Sequence, residues 1–106
     1  MPLINLKSME SKELVPGFHV RFVHTDNMTL AYWEIEEGAL LPDHSHTNEH
    51  VANLIEGELE LIVDGEPHHL TPGKVFVIPP DVPHSGKALT ACKVIDVFHP
   101  MREDYR

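Results

Sequence analysis

Short apolar runs alternating with polar positions occupy most of this chain, and turn residues interrupt them every eight to twelve positions. Strict alternation sends successive side chains to opposite faces of a strand, so each run predicts a half-buried strand. FHVRFVHT (18–25) places Phe18, Val20 and Phe22 on one face. MTLAYWEIE (28–36) is the next strand, ended by Glu37-Gly38. VANLIEG (51–57) and ELELIVDGE (58–66) follow, the second closing on Asp64-Gly65, a pair preferred in two-residue type I′ hairpins. KVFVIPP (74–80) is stopped by two prolines, and ACKVIDVFHP (91–100) is the last strand. Helical periodicity is confined to single turns at Ser8–Leu14 and around Met101–Tyr105. Many short strands without helices predict an all-β fold, one small barrel or jelly roll.

A chain of 106 residues has room for one domain, with the barrel over about 28–99. Its small core would gain from a bound metal or a partner subunit. Seventeen acidic against eight basic residues give a net charge of −9, which argues against a nucleic-acid partner. The same charge requires a local cation or metal wherever an anionic substrate binds. A lone cysteine, Cys92, makes no internal disulfide. No signal-peptide pattern or membrane-length apolar run is visible, so the expected setting is the cytoplasm.

The candidate chemistry lies in the histidines. His19, His24, His68, His69 and His99 read as ordinary surface or core polar residues. HSHTNEH (44–50) differs, with three imidazoles in seven positions. Strand parity would turn His44, His46 and His50 to one side, whereas Glu49 has the opposite parity. Crowded imidazoles lose their protons, the state that binds metal; a hydrogen-bonded cluster without metal is the alternative. GKVFVIPPDVPH (73–84) adds His84 after Pro79, Pro80 and Pro83, whose restricted backbones would aim it.

These two stretches resemble the paired motifs of the cupin family. Gly38, His44, His46, His50 and Gly57 fit the first motif, and Gly73, Pro79 and His84 fit the second. There are departures: His50 stands where the family usually has Glu or Gln, Asp81 replaces a glycine, and Ala88 replaces an asparagine. The resemblance implies a cupin double-stranded β-helix (jelly-roll barrel) and metal ligands His44, His46, His50 and His84. A set of nitrogens with open positions suits one divalent transition metal per chain: Mn, Fe, Co, Ni or Zn.

On the last strand, Cys92, Val94, Asp96 and Phe98 share a face, as do Lys93, Ile95 and Val97. The outward aliphatics suit a neighbouring sheet or a homodimer interface, and Asp96 then points into the lumen. A carboxylate there needs a partner or a task. The tail DVFHPMREDYR (96–106) is similar to that of the KdgF-like small cupins of pectin and alginate breakdown. That resemblance implies linearisation of 4,5-unsaturated monouronates, anionic sugar acids, with Asp96, Phe98 and Arg102 as active-site residues. Asp96 would move protons, Arg102 would clamp the carboxylate with two parallel hydrogen bonds, and Phe98 would wall the ring. The alternatives are a Mn or Fe cupin dioxygenase and a non-enzymatic ligand-binding cupin.

Overall fold

A computed structural model describes residues 1–106. Ten strands make up the chain: β1 (Lys12–Val15), β2 (Phe18–His24), β3 (Thr29–Ile35), β4 (Leu40–His44), β5 (Glu49–Glu56), β6 (Leu59–Val63), β7 (Glu66–Leu70), β8 (Val75–Ile78), β9 (His84–Ala88) and β10 (Cys92–His99). They form two antiparallel sheets, ordered β1-β2-β3-β10-β5-β8 and β4-β9-β6-β7. Between the sheets lie the inward residues of each alternating run, among them Phe18, Val20, Ala31, Trp33, Leu54, Leu61, Val94 and Phe98. On β10 the expected parity holds: Cys92, Val94, Asp96 and Phe98 are buried, while Lys93 is exposed and Ile95 and Val97 are partly so.

Four strands escape the alternation rule. β1 is exposed over three of its four residues and edges the larger sheet, so nothing selects apolar residues there. It occupies part of the stretch expected to hold a helical turn; the only helical residues nearby are a 3-10 turn at Leu6–Ser8. β4 and β7 edge the smaller sheet and carry Pro42 and Pro67, tolerable because an edge strand leaves one side of its ladder unpaired. β9 reads HSGKA, short and nearly without apolar residues, because its inward positions are His84, Gly86 and Ala88. Gly86 has no space to spare: a Cβ would sit 3.1 Å from the Leu61 side chain.

Turn chemistry sets the register. Asp64 and Gly65 both have positive φ (51° and 79°), as a type I′ hairpin between β6 and β7 requires. Asp81, where the cupin motif has glycine, also has positive φ, 64°. Aspartate tolerates that left-handed conformation better than bulkier residues do. Its N–H donates to the carbonyl of His46 (2.8 Å), tying the proline-rich turn before His84 to the histidine-rich loop.

Candidate metal centre and adjoining cavity

The histidines reach one place from three different backbone settings. His44 ends β4, beyond a register shift after Leu41, and lies opposite His84 at the start of β9. His46 sits in the irregular stretch between β4 and β5, so the strand parity expected across 44–50 is interrupted. The convergence instead comes from the β4–β9 pairing and the Asp81–His46 backbone bond. One ligand atom from each of His44, His46 and His84 falls within 4.8 Å of the others.

Each of these imidazoles is oriented by its own backbone. The Nδ1 atoms of His44, His46 and His84 donate to the carbonyls of Pro42 (2.9 Å), Asn48 (3.1 Å) and Val82 (2.9 Å). A carbonyl only accepts, so these contacts fix the proton on Nδ1 and leave Nε2 with its lone pair. The Nε2 atoms of His46 and His84 are buried without a hydrogen-bond partner. Burial, with the Arg102 charge and the neighbouring His50 and His84, lowers the pKa of His46 to about 4. Burial also lowers that of His84, helped by His44 and His50 and opposed by the Val82 carbonyl. Neutral imidazoles with bare, converging nitrogens are the donor set that a divalent transition metal accepts.

His50 belongs to the other sheet. It lies on β5, paired with Phe98 of β10 and Ile78 of β8, and its ring centroid is 5.5 Å from that of His46 and 5.6 Å from that of His84. Its ring is as near the triad as His44 is to His46 (5.8 Å), but its nitrogens are not among the ligand atoms that lie within 4.8 Å of one another. Its ring stacks on Phe98 (4.4 Å, 24°), and its Nε2 approaches Asp96 Oδ1 at 3.0 Å. That approach is close but poorly aligned, so both His50 nitrogens and Asp96 Oδ1 lack a true hydrogen bond. The other Asp96 oxygen, Oδ2, accepts from the indole N–H of Trp33 at 2.9 Å. Glu49, the rejected ligand, is exposed at the start of β5.

Arg102 departs from its expected role. Its guanidinium is buried over Phe98 (4.9 Å) and Tyr105 (4.0 Å), beside the cavity. Asp104 already takes the fork, with Nε donating to Oδ1 (2.8 Å) and Nη2 to Oδ2 (2.6 Å). Burial disfavours the charge, but Asp104 and Tyr105 together more than compensate and the Arg102 pKa is raised; Asp104 is lowered by its bonds to Arg102. Nη1 is buried and without a partner. Two parallel bonds to a substrate carboxylate through Nε and Nη2 are therefore not on offer while Asp104 stays in place, although the Nη1/Nη2 edge keeps its N–H donors.

A cavity of about 70 Å³ runs inward from this cluster, with His44, His50, His84, Asp96, Phe98 and Tyr105 on its wall and Trp33 behind them. Three contributors were not legible as site residues. Trp33 reads as core, Asn48 acts through its main-chain carbonyl, and Tyr105 lies in the tail. The indole of Trp33 is the least hidden of these, since a buried N–H needs an acceptor.

The cupin domain profile matches residues 31–98. The chain belongs to the cupin family. KdgF from Halomonas sp. superposes with a TM-score of 0.89 at 27% identity, covering 94% of this cupin and 95% of that chain. An RmlC-like cupin from Shewanella frigidimarina gives 0.89 at 29% identity, covering 94% and 91%. The HTH-type transcriptional regulator PuuR of Escherichia coli (strain K12) is 25% identical over 91 residues, 79% of this chain and 49% of the regulator. The cupin thus spans about half the length of the curated relative it matches. No helix is long and apolar enough to cross a membrane.

Proposed function

We propose that this cupin linearises 4,5-unsaturated monouronates to open-chain keto sugar acids, as a cytoplasmic homodimer with one divalent transition metal per chain. The observation that carries the reading is Asp96: a buried carboxylate with one oxygen held by Trp33 and the other left without a hydrogen bond, 3.0 Å from His50 Nε2. The near full-length likeness to KdgF supports it. His44, His46 and His84 would hold the metal, with His50 as the fourth nitrogen. When bound, the metal supplies Lewis acidity toward substrate oxygens.

The chain's own residues account for the proton traffic. Asp96 Oδ1 takes the proton of the anomeric hydroxyl as that oxygen becomes a carbonyl and its carbon parts from the ring oxygen. The ring oxygen stays on the unsaturated carbon as an enolate. Asp96 then returns the proton to the neighbouring alkene carbon, giving the ketone with no net change in composition. Phe98 offers an apolar wall, and Arg102 offers charge to the carboxylate. Disappearance of the ring-enol absorbance with an unsaturated monouronate, unaffected by removing oxygen, is the expected result. An inert chain overturns the reading, and oxygen dependence would favour a dioxygenase. The match to half of a transcriptional regulator favours one rival, a ligand-binding barrel, which turnover would exclude.

A further inference from the structure

The Arg102 fork is already filled by a carboxylate that the same chain supplies. Asp104 meets it with both oxygens, in the geometry by which arginine binds free carboxylates. The two partners differ in environment: the Arg102 side chain is 8% exposed, whereas that of Asp104 is 61% exposed on a three-residue 3-10 turn. The cation is therefore fixed and the anion is the movable member. Fixing also comes from elsewhere, because the Arg102 backbone N–H donates to Thr29 Oγ1 (2.9 Å) and its guanidinium lies over the rings of Phe98 and Tyr105. The turn itself stays anchored without Asp104. Tyr105 stacks on Phe22 (4.6 Å), and its carbonyl accepts from His24 Nε2 (3.2 Å).

We propose that Asp104 is a specificity-determining residue: it occupies the Nε/Nη2 fork of Arg102 and must swing out for a substrate carboxylate to take that fork. This rests on the uronate reading and sharpens it. A tethered carboxylate competes at an effective concentration in the millimolar range. Free acetate-like anions seldom match that. A sugar acid also held at the metal and at Asp96 recovers the cost through its second anchor. The exchange thus selects ligands carrying a carboxylate and a second group at the reach of the histidine cluster, and it keeps the Nε/Nη2 fork of Arg102 paired between turnovers. Neutral sugars gain nothing at Arg102 in either state.

The test is calorimetric titration of the metal-loaded protein with galacturonate, a saturated uronate, and with its methyl ester, alongside turnover of the unsaturated monouronate. In Asp104→Asn, galacturonate is expected to bind roughly tenfold more tightly, as expected when a competing local ligand is removed. Its methyl ester should bind as it does to wild type, and KM for the unsaturated substrate should fall. Asp104→Ala should behave alike, with circular dichroism checking the fold. The gain should vanish when Arg102→Gln is added. Weaker or unchanged galacturonate binding in both Asp104 variants overturns the proposal, because it would make Asp104 a support for Arg102 rather than its competitor. Wild-type inactivity on the unsaturated substrate with tightened galacturonate binding in Asp104→Asn would sink the reaction and leave the carboxylate exchange standing. Galacturonate binding to none of the proteins overturns the carboxylate exchange, while turnover of the unsaturated substrate decides the reaction.

Discussion

Asp96 and His46 show how far a single side chain's surroundings decide its chemistry. With Oδ2 fixed by Trp33, Asp96 keeps Oδ1, which makes no hydrogen bond and lies 3.0 Å from His50 Nε2, for proton transfer. Asp96→Asn preserves size and the indole contact but removes the base, so turnover is expected to fall by roughly 10²–10⁴ with metal content unchanged. Elemental analysis beside steady-state rates checks both halves. His46 is different in kind. In the metal-free chain its folded pKa, about 4, lies below the ordinary value of 6.5. The unfolded chain therefore takes up a proton first as pH falls, and stability drops between about pH 6.5 and 4. Urea midpoints of the metal-free protein should decline across that window, and His46→Gln should flatten the decline. Asp96 was legible from β10 alone, because alternation put a carboxylate among Val94 and Phe98. The Arg102–Asp104 pair was not, since two charges two residues apart in a tail carry no periodic signal.

The clasp that gathers the histidines is made of short segments: the end of β4, the loop to β5, the Asp81 turn and the start of β9. His46→Ala and His84→Ala are expected to lose most of the metal. His50→Ala should retain more, since its nitrogens are not among the ligand atoms that lie within 4.8 Å of one another. Inductively coupled plasma analysis of purified variants tests that order, and equal metal loading in a His46→Ala/His84→Ala double variant would remove the metal site altogether. At Asp81, a β-branched residue would be forced into a left-handed backbone. Asp81→Val should lose about 1–2 kcal/mol in urea unfolding, whereas Asp81→Gly should be tolerated. The histidine motif was visible because ligand chemistry restricts residue type. The strands carrying it were not, because β4 and β9 are built around Pro42, Gly86 and the histidines themselves rather than from apolar alternation.

For the whole molecule, β-barrel architecture follows from the alternating runs, since each has one apolar face and the two sheets bury those faces against each other. The outer face of the larger sheet is less easily explained by a monomer. Val97 aligns with Leu30 and Val51, and Val51 with Val77; Ile95 aligns with Tyr32 and with Asn53, which in turn faces Val75. Val75 and Val77 are each 56% exposed. β1 pairs with β2 of its own chain and lies at the edge of the sheet. A homodimer that covers these aliphatic side chains would use the sheet face. Light scattering at micromolar concentration should give twice the 12.0 kDa chain mass, and Val77→Lys should halve it.

Trp33 is the chain's only tryptophan. Its indole N–H rests on Asp96, and its ring meets Phe18 and Phe22 edge to face. Every photon of tryptophan emission therefore comes from the wall of the proposed reaction chamber. Exchange of the Asp96 charge for an amide, or entry of a paramagnetic ion among the histidines, should be readable as a change in emission wavelength or intensity, with no label attached. The hydrogen bond that holds the carboxylate also makes the protein its own optical probe.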